Sequence, residues 1–402
     1  MPVPNSFPFP GTLAGHWNLS KEIVFLNHGS FGACPDDVLQ YREMLLRRVE
    51  ADPMEFLLEV HQPLRKELIA RLESFTGAQP GSIVMVENAT TGINTILRNL
   101  PVRRGDSILV TDQEYFSSAN ALKGLAYDLG LNLVKVEIPW PVEEDSVLDS
   151  FERSAVPGTR FALVDHVVSA SGVVLPLDRI IKLLKEKGIE TIVDGAHGPG
   201  QLHLELAELG CMAYTGNCHK WMGSPRSAAI LYVRPDFQPG FRPLVISHLP
   251  GEIAYDASDY QLYFTWNGTP DPTPELAVSK SMDFMQGLLP GGWDQIRKRN
   301  RDLVLKARHI VSDVIGTDPP CPESMVGSMA SVTLPGSPSF LGTTLHWMDP
   351  LQRELRNRYG IVVPVTRIRV GSVRLLRLSA QLYNSEDQYR YLADSLRDLC
   401  NW

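Results

Sequence analysis

From about residue 35 onward, short apolar runs alternate with stretches whose apolar residues recur every three to four positions, and no other feature limits the possible folds so tightly. The apolar runs are SIVMV, SILVTD, NLVKVEI, RFALVDHV, TIVDG and AAILYV. Between them lie the GINTILRNL helix closed by Pro101, a helix through ANALKGLAYDLG, and LDRIIKLLKEKG. Upstream, Pro35, Asp36 and Asp37 open a helix with acid near the positive end of its dipole. A second helix, from about Pro63 to Phe75, carries Leu64, Leu68, Leu72 and Phe75 on one face and stops at Gly77. Parallel strands need crossover connections, which intervening helices supply. The pattern therefore predicts an α/β fold, a mostly parallel central sheet with helices on both faces.

Near residue 270 the pattern breaks. WNGTPDPTPE is rich in turn formers and leads to a long charged helix from about Trp293 to Ile315. Beyond it come an MASVTL strand, a TTLHWMDPLQRELRNRYG helix, the strands IVVPV and VRLLRLSA, and a final helix from about Glu386. This order predicts a smaller α+β C-terminal domain over 271–402, a large domain over 21–270 and an N-terminal arm over 1–20. With 38 Lys+Arg against 46 Asp+Glu and no long basic run, a nucleic-acid surface is not expected. No segment reaches the ~18 uninterrupted apolar residues of a membrane span, and the N-terminus lacks a basic stretch followed by an apolar one, so a cytoplasmic protein is expected. Cys34, Cys211, Cys218, Cys321 and Cys400 have no paired spacing, and His197, His203 and His219 have no metal spacing; neither disulfides nor a metal site is expected.

Reactive residue types concentrate in TIVDGAHGPG and YTGNCHKWMGSPRSAAILYV. Any one lysine or aspartate is by default a solvated surface charge. Asp194, however, closes an apolar strand, at the end where open α/β sheets place ligands. Lys220 lies on a turn among Gly216, Asn217, Gly223 and Ser224. A lysine walled in by protein loses solvation and moves toward the neutral amine. A neutral amine and a buried carboxylate are the two groups that pyridoxal 5'-phosphate (PLP) chemistry requires, one to hold the cofactor's aldehyde and the other to keep its ring nitrogen protonated.

A phosphate would be met by Ala89, Thr90 and Thr91, which follow a strand and open a helix in VENATTGINTIL, although the same residues suit a plain helix cap. Tyr115 in TDQEYFSS stands at another strand end, where an aromatic ring can stack on a cofactor, while Phe116 reads as a core residue. His197 and His219 are candidate donors to the ring oxygen and to the phosphate, or are simply structural. In RLLRLSAQLYN, Arg377 suits an α-carboxylate, and Arg374, an odd number of positions away, should face the other side toward solvent. Asn27, His28 and Ser30 in FLNHGSFGACP read as a polar loop at the site, or as an ordinary surface turn.

The ordered set FLNHGSFG, NATTGIN, QEYFS, VDGAHGPG, GNCHKW, WNGTPDPTP and RLSAQLYN resembles the class V aminotransferase family, PLP enzymes with the PLP-dependent transferase fold type I. LNHGSFG, HKW and WNGTPDPTP are most similar to its isopenicillin N epimerase group, which includes ergothioneine-pathway C–S lyases. The resemblance implies that Lys220 is the Schiff-base lysine, that Asp194 pairs with the pyridine nitrogen and that Tyr115 stacks on the ring. It implies that Thr90, Asn217 and His219 hold the phosphate, that His197 and Ser169 approach the ring oxygen, and that Arg377 binds a substrate carboxylate, with Asn27 and His28 beside it. It also implies a homodimer with shared active sites, in which Trp266, Asn267, Gly268 and Thr269 reach the phosphate of the neighbouring subunit. Cysteine desulfurases of the family carry a nucleophilic cysteine shortly before the matching arginine, whereas Gly360 to Leu376 contains none. They also commonly stack a histidine where Tyr115 stands.

The expected reaction starts with Lys220 removing the Cα proton of a small amino-acid substrate. Epimerisation then needs a second acid, for which Tyr115 and His28 are the candidates. Elimination at a C–S bond, the alternative, needs a leaving group at Cβ. Transamination and a PLP-binding protein without turnover rank behind both. A nicotinamide site is not expected, since DGAHGPG lacks the GxGxxG spacing.

Overall fold

The computed structural model describes residues 8–248, 257–335, 349–368 and 373–400. Their strands are β1 (Val24–Phe25), β2 (Ile83–Val86), β3 (Ser107–Thr111), β4 (Asn132–Val136), β5 (Thr159–Asp165), β6 (Glu190–Asp194), β7 (Ala213–Asn217), β8 (Ala229–Val233), β9 (Met329–Leu334), β10 (Ile361–Val362), β11 (Val365–Ile368) and β12 (Val373–Ser379). Seven of them form one sheet in the order β2-β8-β7-β6-β5-β3-β4. β8 runs antiparallel to β2 and β7, and the other pairings are parallel. The expected mostly parallel sheet is present. Its one reversed strand follows from the connection: no helix lies between β7 and β8 to carry the chain back across the sheet.

Alternate residues of the strands face two cores. Ile230 and Tyr232 of β8 join Ala162, Val164 and Val193 on one side, and Leu231 and Val233 join Leu163, Ile192 and Ala213 on the other. The helices Glu144–Ser154 and Leu177–Glu186 bring Val147, Phe151, Ile180 and Leu184 to the first core. Ala89–Arg98 and Phe116–Leu129 bring Ile93, Ile96, Leu97 and Leu122 to the second. Each fully buried aliphatic side chain of this size contributes ~1.5–3 kcal/mol, so the two layers together hold the sheet between helices. The resulting register sets Asp165 directly beside Asp194.

Several local expectations change. FLNHGSFG, expected as a loop, forms β1 and a single helical turn, His28–Phe31. β1 pairs in parallel with β10, which anchors the turn far from its sequence neighbours. Gly32 ends the turn at φ 70°, and a Cβ there would meet the His219 carbonyl oxygen at 2.1 Å, so only glycine allows this close approach. PDPTPE leads straight into a helix, Thr273–Gly287, packed along Asp36–Ala51; Pro274 stands in the first turn, where its missing N–H has no partner to lose. The TTLHWM part of the expected later helix lies outside the described residues, and the helix observed is Pro350–Tyr359. β11, β12 and β9 form an antiparallel sheet against the helix Gly292–Ile315, and β12 carries Arg377. Among the described residues no helix is long and apolar enough to cross a membrane.

Leu163, fully buried in central β5, reports on the doubly covered sheet. Leu163→Ala should reduce stability by about 2–5 kcal/mol, read as a lower midpoint of chemical denaturation.

Candidate active site

The C-terminal ends of the parallel strands supply the site. Asn217 closes β7, Asp194 closes β6 and Asp165 closes β5, while Ala89 and Thr90 follow β2 and Glu114 and Tyr115 follow β3. Lys220 stands in the turn after β7, with its Nζ 3.2 Å from His197 Nε2. The Trp221 indole N–H can only donate, and it reaches His197 Nδ1 at 3.4 Å. Burial, with Lys220, Arg377 and His28 adding to it, holds the His197 ring neutral, well below its usual range. Nε2 therefore carries the ring's hydrogen and directs it at Lys220 Nζ, an arrangement that suits an uncharged amine. Burial draws Lys220 down to about 8, opposed by Asp194 and reinforced by Arg377.

Asp194 is buried, and each of its oxygens has a donor: the Ser118 hydroxyl at 2.6 Å from Oδ2 and the Ala196 N–H at 3.1 Å from Oδ1. Burial lifts its pKa, while these two hydrogen bonds and Lys220 pull it back down. Arg377 is buried as well. Its Nη2 donates to Asn27 Oδ1 at 3.0 Å and to the Ser30 hydroxyl at 2.8 Å, and its Nη1 donates to the Ser169 carbonyl. Its Nε has no acceptor among the described residues. All these oxygens are neutral, so the guanidinium has no carboxylate of its own, and burial draws it down to about 10.

His28 donates from Nε2 to the Lys220 carbonyl at 3.0 Å and accepts at Nδ1 from the Tyr383 hydroxyl at 2.9 Å. Burial holds it neutral, near 4, and its ring packs on Trp221 with centroids 4.8 Å apart. Both nitrogens are engaged within the protein, which places His28 to position Lys220 rather than to exchange protons with a substrate. The Ala89 N–H donates to Asn217 Oδ1 at 2.9 Å, and the Thr91 N–H donates to Asn88 Oδ1 at 2.9 Å, which caps the helix. Of the three residues at this helix start, the exposed Thr90 is left to meet a phosphate, its hydroxyl 3.5 Å from that of Ser117. His219 donates from Nδ1 to the Ala228 carbonyl at 3.2 Å, and burial lowers it to about 4.

Tyr115 heads the helix Phe116–Leu129 and is 45% exposed. Phe116, read from the sequence as a core residue, is 78% exposed, because the helix begins beyond the end of β3 and the core. Arg374 does lie across the strand from Arg377, but it meets the buried Asp349 at 2.8 Å instead of solvent, with Arg367 on the same carboxylate at 2.8 Å. Thr269 is exposed, and Trp266 and Asn267 border a hollow of about 310 Å³ shared with Thr91, His61 and Arg65. Sequence reading passed over Glu114, Ser118, Asp165 and Trp221. Asp165 had a signal, since RFALVD ends in the same residue as TIVD. Ser118 had none: its neighbour on β6 is 76 positions away.

This donor set fits PLP. A buried amine drawn down to about 8 suits its aldehyde, a buried carboxylate with two donors suits its ring nitrogen, and the helix start at Thr90 suits its phosphate. The unpaired charge of Arg377 calls for an anion that the described residues do not provide.

Comparison with known proteins agrees. Residues 61–332 match the family model described as Aminotransferase class-V. The chain is 32% identical to isopenicillin N epimerase of Amycolatopsis lactamdurans, over 95% of this chain and 96% of that protein. It is 26% identical to hercynylcysteine sulfoxide lyase of Schizosaccharomyces pombe, over 96% of each. Among solved structures it is similar to the cysteine desulfurase of Thermococcus onnurineus, with a TM-score of 0.77 and 19% identity, over 100% of this chain and 99% of that one, a likeness of fold.

Because Lys220 sits near 8, its uncharged fraction rises as pH climbs through that value. Capture of PLP by the apo-protein, followed as growth of a visible band that borohydride traps, should accelerate between about pH 6 and about pH 9 with its midpoint close to 8. Lys220→Ala should abolish the trapped product.

Proposed function

Because the chain belongs to the class-V aminotransferase family and is a PLP-dependent enzyme, we propose that it removes and returns the Cα proton of an amino acid or amino-acid conjugate, an epimerase reaction of the isopenicillin N epimerase kind. The observation that carries this reading is Arg377, a buried guanidinium bonded only to neutral oxygens and within electrostatic reach of the Lys220 amine. A substrate carboxylate would complete its shell and bring Cα toward Lys220.

When bound, PLP supplies the electron sink for charge left on Cα. Lys220 is the base that takes the proton, His197 steadies its amine, and His28 fixes its backbone through the carbonyl. Asp194, held by Ser118 and Ala196, would pair with the ring nitrogen. Thr90, Asn217 and His219 would hold the phosphate, with Ala89 tying Asn217 to the helix start, and His197 and Ser169 would approach the ring oxygen. Tyr115, 45% exposed, would be the second acid that returns a proton to Cα. Arg377, Asn27 and Ser30 orient the substrate. Trp266, Asn267, Gly268 and Thr269 would reach the phosphate of a second copy, giving a homodimer with shared sites. Exposed Leu39, Met44, Leu46, Met54 and Leu58 favour such a partner. Free thiols at Cys34, Cys211, Cys218 and Cys321 favour a cytoplasmic location.

A second reading, cleavage of a C–S bond in a cysteine-conjugate sulfoxide, is favoured by the end-to-end match to a hercynylcysteine sulfoxide lyase. The lack of cysteine between Gly360 and Leu376 also leaves no thiol there to take sulfur up as a persulfide. Incubating a panel of L-amino acids and cysteine conjugates in deuterated water separates the two. Deuterium at Cα with inversion is the expected result, whereas pyruvate or ammonia release would assign the lyase reaction instead.

Tyr115→Phe should slow inversion by about 100-fold or more, within the range of general acid catalysis, while leaving Cα exchange from the Lys220 side. Equal loss of both would remove Tyr115 from the role of second acid.

A further inference from the structure

Two carboxyls behind Asp194 have no part in the reaction as derived. Asp165 ends β5 in register with Asp194 at the end of β6, and Glu114 follows β3, the other neighbour of β5. Glu114, Asp165 and Asp194 each bring one carboxyl oxygen to within 4.8 Å of the other two, and all three are buried. Asp194 has a donor on each oxygen. Glu114 accepts from the Tyr115 N–H through Oε1 at 3.2 Å, but Glu114 Oε2 and Asp165 Oδ2 are buried with no partner among the described residues.

Two neighbouring buried carboxylates, each with an oxygen that has no donor, are doubly unfavourable, through lost hydration and mutual repulsion. One proton between them relieves both. Burial first, and then the neighbouring acids, push Glu114 and Asp165 well above the carboxylate range. Lys220 is the cation that reaches Asp165. On the flanking elements, the His166 ring shares a hydrogen bond with the Tyr214 hydroxyl at 3.2 Å and is held neutral near 4, and burial keeps the Tyr214 phenol protonated.

We propose that Asp165 and Glu114 share a single proton, and that the pair acts as positioning residues which leave Asp194 as the ionised carboxylate on the cofactor side. No bond to substrate is involved, and the pair retains one negative charge. Only its action on the cofactor rests on the role given above to Asp194; the shared proton is a property of the apo-protein.

Infrared difference spectroscopy of the apo-protein at neutral pH tests the proton directly. The carbonyl stretch of a buried carboxylic acid should be present in the wild type and lost in both Asp165→Asn and Glu114→Gln, since either amide donates to the remaining carboxylate and no acid is left. A spectrum in which neither variant loses such a band overturns the proposal, as does a divalent metal ion found at the three carboxyls by elemental analysis. With PLP bound, the pH midpoint of the visible band tests the positioning role. Each single variant keeps one negative charge and should keep the wild-type midpoint, whereas the double variant has none and should hold the cofactor-side proton about tenfold more weakly, a fall of about one pH unit. An unchanged midpoint in the double variant, or a full shift in either single one, overturns the role. If the double variant fails to fold, the isosteric single variants in the apo-protein decide.

Discussion

A lysine gives up its proton near neutral pH most readily when its ammonium form is starved of water. Around Lys220 this is achieved by backbone as much as by side chains. The turn after β7 is held from below by His28, whose Nε2 bonds the Lys220 carbonyl at 3.0 Å, and the one-turn helix that carries His28 closes on the His219 carbonyl through Gly32. Trp221 fills the space beside both histidines and fixes the tautomer of His197. A substitution that let water reach this turn would raise the lysine toward its ordinary value without touching the amine itself.

Charge in the site is unevenly distributed. On the side of the C-terminal sheet a buried guanidinium stands among neutral oxygens; under the strand ends, three buried carboxyls stand near one amine. Neither arrangement is stable in isolation, since an unpaired buried charge costs far more than a hydrogen-bonded one. In the proposed reading an α-carboxylate would answer the first, and a protonated ring nitrogen with a retained proton the second. The polar groups therefore ask for a carboxylate-bearing substrate and an aromatic nitrogen cofactor together, a requirement that depends on the pattern of satisfied and unsatisfied atoms rather than on any one residue. Tyr115, the proposed second acid, stands half-exposed at a helix start.

The Arg377 end of the site is assembled from segments some 350 positions apart. β1 pairs with β10, the Ser379 N–H donates to the Leu26 carbonyl, and the Asn384 amide donates to the Phe25 carbonyl. These contacts bring Asn27 and Ser30 to Arg377, whose guanidinium also donates to the Ser169 carbonyl in the segment that follows β5. Binding a carboxylate here would thus add to contacts that already join the N-terminal segment to both sheets.

The period of the apolar residues determined much of this chain without reference to anything distant: the strands, most helices, the mostly parallel sheet, and the placing of Asp194 and Lys220 at strand ends, because strand alternation and helix capping are local properties. The same locality made Arg377 visible as an inward-facing residue of a strand. The conformation of FLNHGSFG was not legible, since it is shaped by pairing with β10, nor was the exposure of Phe116, which depends on where its helix starts relative to the sheet. Arg374 was read correctly as to face and wrongly as to surroundings, because Asp349 is 25 positions away in sequence. Only the tertiary structure decided that Asp165, Glu114 and Ser118 gather around Asp194 and that His28 braces Lys220. Strand order sets which strand ends are neighbours, and strand order is written in contacts between distant segments, not in the residues beside each one.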